Sequence, residues 1–202
     1  MARLPYATSA QFEELKRQSG FPENTQQSNA FSILAHTPAV GGQALRLVLA
    51  LLTKTELDPG LRELVILRVA QRCDGPYVWV QHAAIARSVG VNDAQIAALE
   101  RGEAPADLFA DRERTAFAFA DEVLHSSHST EDTFAMVRKL FSPREVVELL
   151  LLIGYFRMIS GLMTTLGVEV ESPFGVKIPD QVRDAARSED RVHDGQEGLS
   201  RA

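Results

Sequence analysis

The stretch Leu61-Arg62-Glu63-Leu64-Val65-Ile66-Leu67-Arg68-Val69-Ala70-Gln71-Arg72-Cys73-Asp74-Gly75-Pro76-Tyr77-Val78-Trp79-Val80-Gln81-His82 decides how this chain is read. It predicts two helices joined by a tight Asp74-Gly75-Pro76 turn, with Glu63 near the start of the first and His82 inside the second. A hairpin of this kind can bring the two side chains together. A carboxylate against an imidazole forms a general acid/base pair, because it fixes the ring tautomer and raises the basicity of the ring. Cys73 is the single cysteine of the chain, so no second thiol accompanies the pair.

Working outward, helical punctuation continues on both sides and no segment sustains the period-two alternation of a strand. Asp58-Pro59 supplies an N-cap and a proline at the first helical position for the helix that reaches Cys73. Asp74 can cap the next helix, which runs to Ser88 and stops at Gly90. Upstream, short helices are expected over Gln11 to Gln18 and Asn29 to His36, and a longer one from Pro38 through Leu52. Downstream, Asn92 caps a helix that Gly102 closes, Asp107 to Leu124 forms another, and Ser129 or Thr130 caps one through Phe141. Ser142-Pro143-Arg144-Glu145 combines a serine cap, a proline at N1 and a glutamate at N3, which is a capping box. The helix it opens is apolar nearly all round until Gly167 and must be covered on every side, by its own domain or by a partner subunit. An oligomer is therefore expected.

The chain has 202 residues, with 45% hydrophobic and 24% charged side chains. That is one all-α domain with a full core. The reading divides it into an N-terminal arm with a short helix over 1–28, a helical domain over 29–175 and a charged tail over 176–202. A formal net charge of -6, with no basic stripe and no basic helix-turn-helix, argues against a nucleic-acid partner. Val146 to Val168 is apolar enough to raise the question of a membrane span, but it carries Glu148 and Arg157 and opens with a capping box, so a buried central helix is expected. One cysteine excludes an intrachain disulfide and a cysteine-rich zinc site. With no signal-peptide core in the first residues, a cytoplasmic protein is expected.

Around the pair, Val78, Trp79 and His82 share one helix face by their spacing, and Tyr77 lies near the turn. Glu63 and Trp79 each have a simpler role open to them, as a dipole-stabilised carboxylate and as core packing. Arg157, inside an apolar helix, is a candidate cationic clamp for a substrate carboxylate, or else an ion-pair partner of Glu148 or a subunit contact. His36 is a candidate pocket residue, or else a helix C-terminal cap. Glu63, His82 and His36 comprise a two-histidine, one-carboxylate set, but no short ligand spacing supports it, and neither a metal nor a cofactor is expected.

At these residues the chain resembles the carboxymuconolactone decarboxylase family, the superfamily that includes the alkylhydroperoxidase D proteins. The resemblance rests on Leu61 to Leu67, Tyr77 to His82, Ile85-Ala86-Arg87, Gly90-Val91 and the later Leu149 to Met158, and spans residues 29 to 170. It implies an alkylhydroperoxidase D-like helical bundle, oligomeric as a dimer, trimer or hexamer. In the redox branch that it implies, a Cys-x-x-Cys pair precedes the histidine; those two positions are Gly75 and Val78 here. In the decarboxylase branch a Tyr-Glu-Trp-x-x-His segment is common; this chain keeps Tyr77, Trp79 and His82 but has Val78 in place of the glutamate.

The reading that follows is a non-redox enzyme acting on a small organic acid or lactone by decarboxylation or a related proton transfer. His82 would be the acid/base, Glu63 its orienter, and Tyr77, Trp79, His36 and Arg157 the substrate-binding residues. Two rivals stand beside it: a hydroperoxide reductase using Cys73 with an external thiol, and a non-catalytic ligand-binding oligomer.

Overall fold

A computed structural model describes residues 1–21 and 24–171, so the expected charged tail lies outside the described residues. Those residues form helices and no strand: α1 (Ser9–Ser19), α2 (Asn29–Leu34), α3 (Pro38–Thr53), α4 (Pro59–Arg72), α5 (Pro76–Ser88), α6 (Asp93–Glu100), α7 (Asp111–Ser126), α8 (Glu131–Leu140) and α9 (Pro143–Leu166).

Local chemistry sets most of these boundaries. Thr8, Ser28, Asp58, Asn92, Thr130 and Ser142 each accept a hydrogen bond from the backbone N–H three residues on, satisfying a donor that the first helical turn leaves over. The box at Ser142 is closed in both directions, with the Glu145 side chain accepting from the Ser142 N–H at 2.8 Å. Two starts differ from the sequence expectation. Helix α7 begins at Asp111 rather than Asp107, because the N–H groups of Leu108 and Phe109 turn back onto the Pro105 carbonyl first. Helix α5 is capped by Gly75, not by the Asp74 side chain. The link between α4 and α5 is so short that Asp74 adopts φ +47°, which aspartate tolerates better than most residues, and this turns the chain back within a few residues.

Helix α4 is the axis of the molecule. Every residue from Leu61 to Ala70 is buried, enclosed by α5, α6, α7 and α9. Helix α9 covers α4 and α5 with Leu149, Leu152, Ile153, Phe156 and Met163. Its opposite face leaves Val147, Leu150, Leu151 and Met158 exposed, so the chain covers one side of this helix and not the other. By length and composition α9 passes for a membrane span, yet its inner face lies inside the core. A second, smaller core joins Phe12 and Leu15 of α1 to Leu34 and Leu45. Helix α1 reaches α3 closely because Gly42 has no side chain; a Cβ there would stand 2.7 Å from the Gln18 Cβ. The N-terminal segment is thus packed onto the helical body.

Candidate functional site

Glu63 sits in the second turn of α4 and His82 in the middle of α5, two antiparallel helices fixed by the tight turn. His82 Nδ1 lies 2.7 Å from Glu63 Oε2, and the Glu63 side chain is fully buried. An ionised carboxylate can only accept, so Nδ1 carries the hydrogen and donates it. Nε2 is left as the ring's free position, and among the described residues it has no hydrogen-bond partner. The ring edge meets Phe156 of α9 with centroids 4.8 Å apart at 83°, an edge-to-face contact that holds the imidazole plane. The result is a fixed tautomer in apolar surroundings, with one nitrogen available to give or take a proton.

Arg62 joins this pair. Its Nε donates to Glu63 Oε1 over a long 3.4 Å, and its side chain is 4% exposed. The sequence reading treated Glu63 and His82 as the chemical residues of the hairpin and passed over Arg62. The signal was there in a second buried-type charge next to the carboxylate, but period alone does not say which of two adjacent helical residues faces a partner.

The other expected site residues are placed differently. The Tyr77 hydroxyl is occupied within the chain: it donates to Glu171 Oε1 at 2.6 Å and accepts from the Ala30 N–H at 3.2 Å. Burial pushes its pKa well above the ordinary phenol value, and the neighbouring Glu171 carboxylate adds to the rise. Trp79 is half-buried against the main core. His36 is exposed, with Nε2 against the Pro5 carbonyl at 2.7 Å, where it fastens the N-terminal segment; the structure does not bring it to Glu63 and His82. Arg157 is exposed on the outer side of α9. Glu148, its expected ion-pair partner, is held instead by Arg144 Nε at 2.8 Å and by the Glu56 N–H at 2.9 Å. Among the described residues no group of three His, Cys, Asp or Glu side chains gathers in a metal-binding arrangement.

The positions of the missing thiols have their own geometry. Gly75, Val78 and His82 fall on one face of α5. Val78 is buried. At Gly75 a Cβ would lie 2.7 Å from Ser160 Oγ and 2.9 Å from Ser160 Cβ, so a serine of α9 fills the space that a side chain at position 75 would need. Cys73 closes α4 ten residues after Glu63, about 15 Å along the helix. Burial raises its pKa; the Arg157 charge acts against this and Asp74 with it, and the rise keeps Cys73 a thiol at neutral pH.

The family model of the carboxymuconolactone decarboxylase family matches residues 38–122, which contain both Glu63 and His82. Over that stretch, 85 of the 202 residues, the chain is similar to the carboxymuconolactone decarboxylase family. Solved structures share this fold. An alkylhydroperoxidase AhpD core protein from Ralstonia eutropha, a peroxidase-related protein, is similar with a TM-score of 0.68 at 23% identity, over 86% of this chain and 94% of that one. A peroxidase-related protein from Silicibacter sp. gives 0.65 at 18% identity, over 86% and 94%. The debrominase Bmp8, solved in complex with 2,3,4-tribromopyrrole, gives 0.64 at 16% identity, over 88% and 90%. Comparison with curated proteins gives no match. This chain has the buried carboxylate–imidazole pair, and glycine and valine stand at positions 75 and 78, where the resemblance implies the thiols of the redox branch.

Proposed function

We propose that this protein is a non-redox acid/base enzyme of the carboxymuconolactone decarboxylase-like superfamily, acting on a small organic acid or lactone. The observation that carries the reading is the 2.7 Å contact between His82 Nδ1 and the fully buried Glu63, with Nε2 left free. In a decarboxylation, loss of CO2 leaves an electron pair on the adjacent carbon as an enolate. His82, first protonated at Nε2 by solvent, delivers that proton to the carbon and returns to the Nδ1–H tautomer. Glu63 holds the tautomer and balances the imidazolium charge, and the apolar surroundings strengthen both effects. The same groups serve a proton exchange next to a carbonyl. Gly75 backed by Ser160, together with a protonated and remote Cys73, weighs against a thiol cycle.

The test follows deuterium from D2O into the C–H bonds adjacent to the carbonyl, by NMR, across small lactones and keto acids. His82→Gln should reduce the rate by about 10²–10⁴-fold, while Cys73→Ser leaves it unchanged. Exchange indifferent to His82, or peroxide reduction abolished by Cys73→Ser, would overturn the proposal. Assembly as a homo-oligomer belongs to the same reading, supported by the exposed apolar face of α9. Light scattering that returns a monomer at micromolar concentration would remove that part.

A further inference from the structure

Arg62 is the buried charge whose chemistry the Glu63–His82 pair leaves unused. Only 3% of the residue is exposed, and its single hydrogen bond among the described residues is the long one from Nε to Glu63 Oε1. Neither terminal nitrogen meets an acceptor there, and neither is wholly sealed from water, so the tip of the guanidinium reaches solvent. A guanidinium keeps its charge, so a cation almost enclosed by the protein presents its terminal donors to solvent with no side-chain acceptor against them. The contrast with Arg68 is direct: six residues on in the same helix and equally buried, it places Nε and Nη2 on Asp121 and Nη1 on the Gly102 carbonyl.

Position tells what the spare donors meet. The Nε contact holds the guanidinium beside the carboxylate whose other oxygen holds His82. With Glu63 on the Nε side, the terminal edge of the planar cation remains, and that edge matches two oxygens of a carboxylate or phosphate. A ligand anion seated there has the guanidinium between itself and Glu63, so the two negative charges are separated by the cation. We propose that Arg62 anchors the oxyanion group of a small ligand at the Glu63–His82 site, which therefore takes a carboxylate or comparable oxyanion and refuses the neutral amide. The proposal rests on the acid/base reading of His82 for its purpose, and gives to Arg62 the clamp role for which Arg157 was the sequence candidate.

The experiment titrates the wild-type protein with acetate, inorganic phosphate and acetamide. Two signals are read: fluorescence of Trp79, the only tryptophan, and the NMR resonance of the Arg62 Nε–H. A saturable change with acetate, absent with acetamide, that moves the Arg62 resonance is the expected result; a preference for phosphate over acetate assigns the ligand class to phosphates. Arg62→Lys should weaken binding at least about tenfold, since lysine keeps the charge and loses the fork. No saturable change with either anion overturns the proposal. So does an unmoved Arg62 resonance, or an Arg62→Lys variant that binds as tightly as wild type. The wild-type NMR reading stands even if a variant fails to fold. Acetate binding through Arg62 without His82-dependent exchange leaves this inference intact and sinks the acid/base reading. His82-dependent exchange on neutral lactones, with no anion binding, does the reverse.

Discussion

The two ends of α4 bury the same kind of side chain and treat it in opposite ways. Toward its C-terminal end, Arg68 and Arg72 both grip Asp121 of α7, and Arg68 also takes the Gly102 carbonyl. Burial alone would raise the Asp121 carboxyl, but the hydrogen bonds from Arg72 and Arg68 outweigh it and hold the carboxyl below its usual range. Toward the N-terminal end, Arg62 has one long bond, and His82 keeps a free nitrogen. A satisfied network fixes a structure. Donors and acceptors that no protein group takes, at the edge of a packed core, stay open to a ligand from solution.

The sharpest way to break that contrast is to remove Asp121. Asp121→Ala leaves Arg68 buried without its partner and should cost about 3–5 kcal/mol in urea unfolding, with any His82-dependent exchange retained in the folded protein. The pH dependence has a definite sign. A carboxyl whose folded pKa is depressed contributes stability above its unfolded value, about 3.9, and loses it as pH falls through the folded value. The stability gap between wild type and Asp121→Asn should therefore be full near neutrality and narrow on acidification below about pH 4. A gap independent of pH would show that the carboxylate charge is not what holds this end.

A smaller effect is expected at the turn. Gly75→Ala pushes a Cβ into Ser160 and should cost about 1–3 kcal/mol, a cost that Ser160→Gly in the same chain should largely remove. Additive losses in the double variant would deny the contact. The smallest effect belongs to Arg62. Arg62→Met removes a charge that has few partners, so it should change stability by less than about 1 kcal/mol, where Arg68→Met costs several. Equal losses for the two arginines would erase the distinction between the ends of the helix.

Much of this was legible in the sequence for local reasons. Asp58-Pro59 and Ser142-Pro143-Arg144-Glu145 start helices because a side-chain oxygen three residues before an N–H is a local geometric fact. The meeting of Glu63 with His82 follows from a hairpin whose turn is too short to allow another pairing. Asp74 misled for a tertiary reason: the tightness of the same turn takes its backbone left-handed and makes Gly75 the cap. The candidate clamp at Arg157 was drawn from an arginine in an apolar helix, but that helix shows its outer side to solvent in this chain, and Arg157 lies there.

What the sequence determined by itself was therefore the all-helical plan, the caps, the hairpin and the absence of a dithiol, since each depends on residues within a few positions of one another. Only the tertiary structure decided which of the three arginines in α4 would find acceptors. Asp121 lies 53 residues beyond Arg68 in sequence, and the packing of α7 against α4 delivers it to Arg68 and Arg72 while Arg62 is left beside Glu63. Ser160 fills the place at Gly75 in the same way, from a helix whose arrival no local pattern announces.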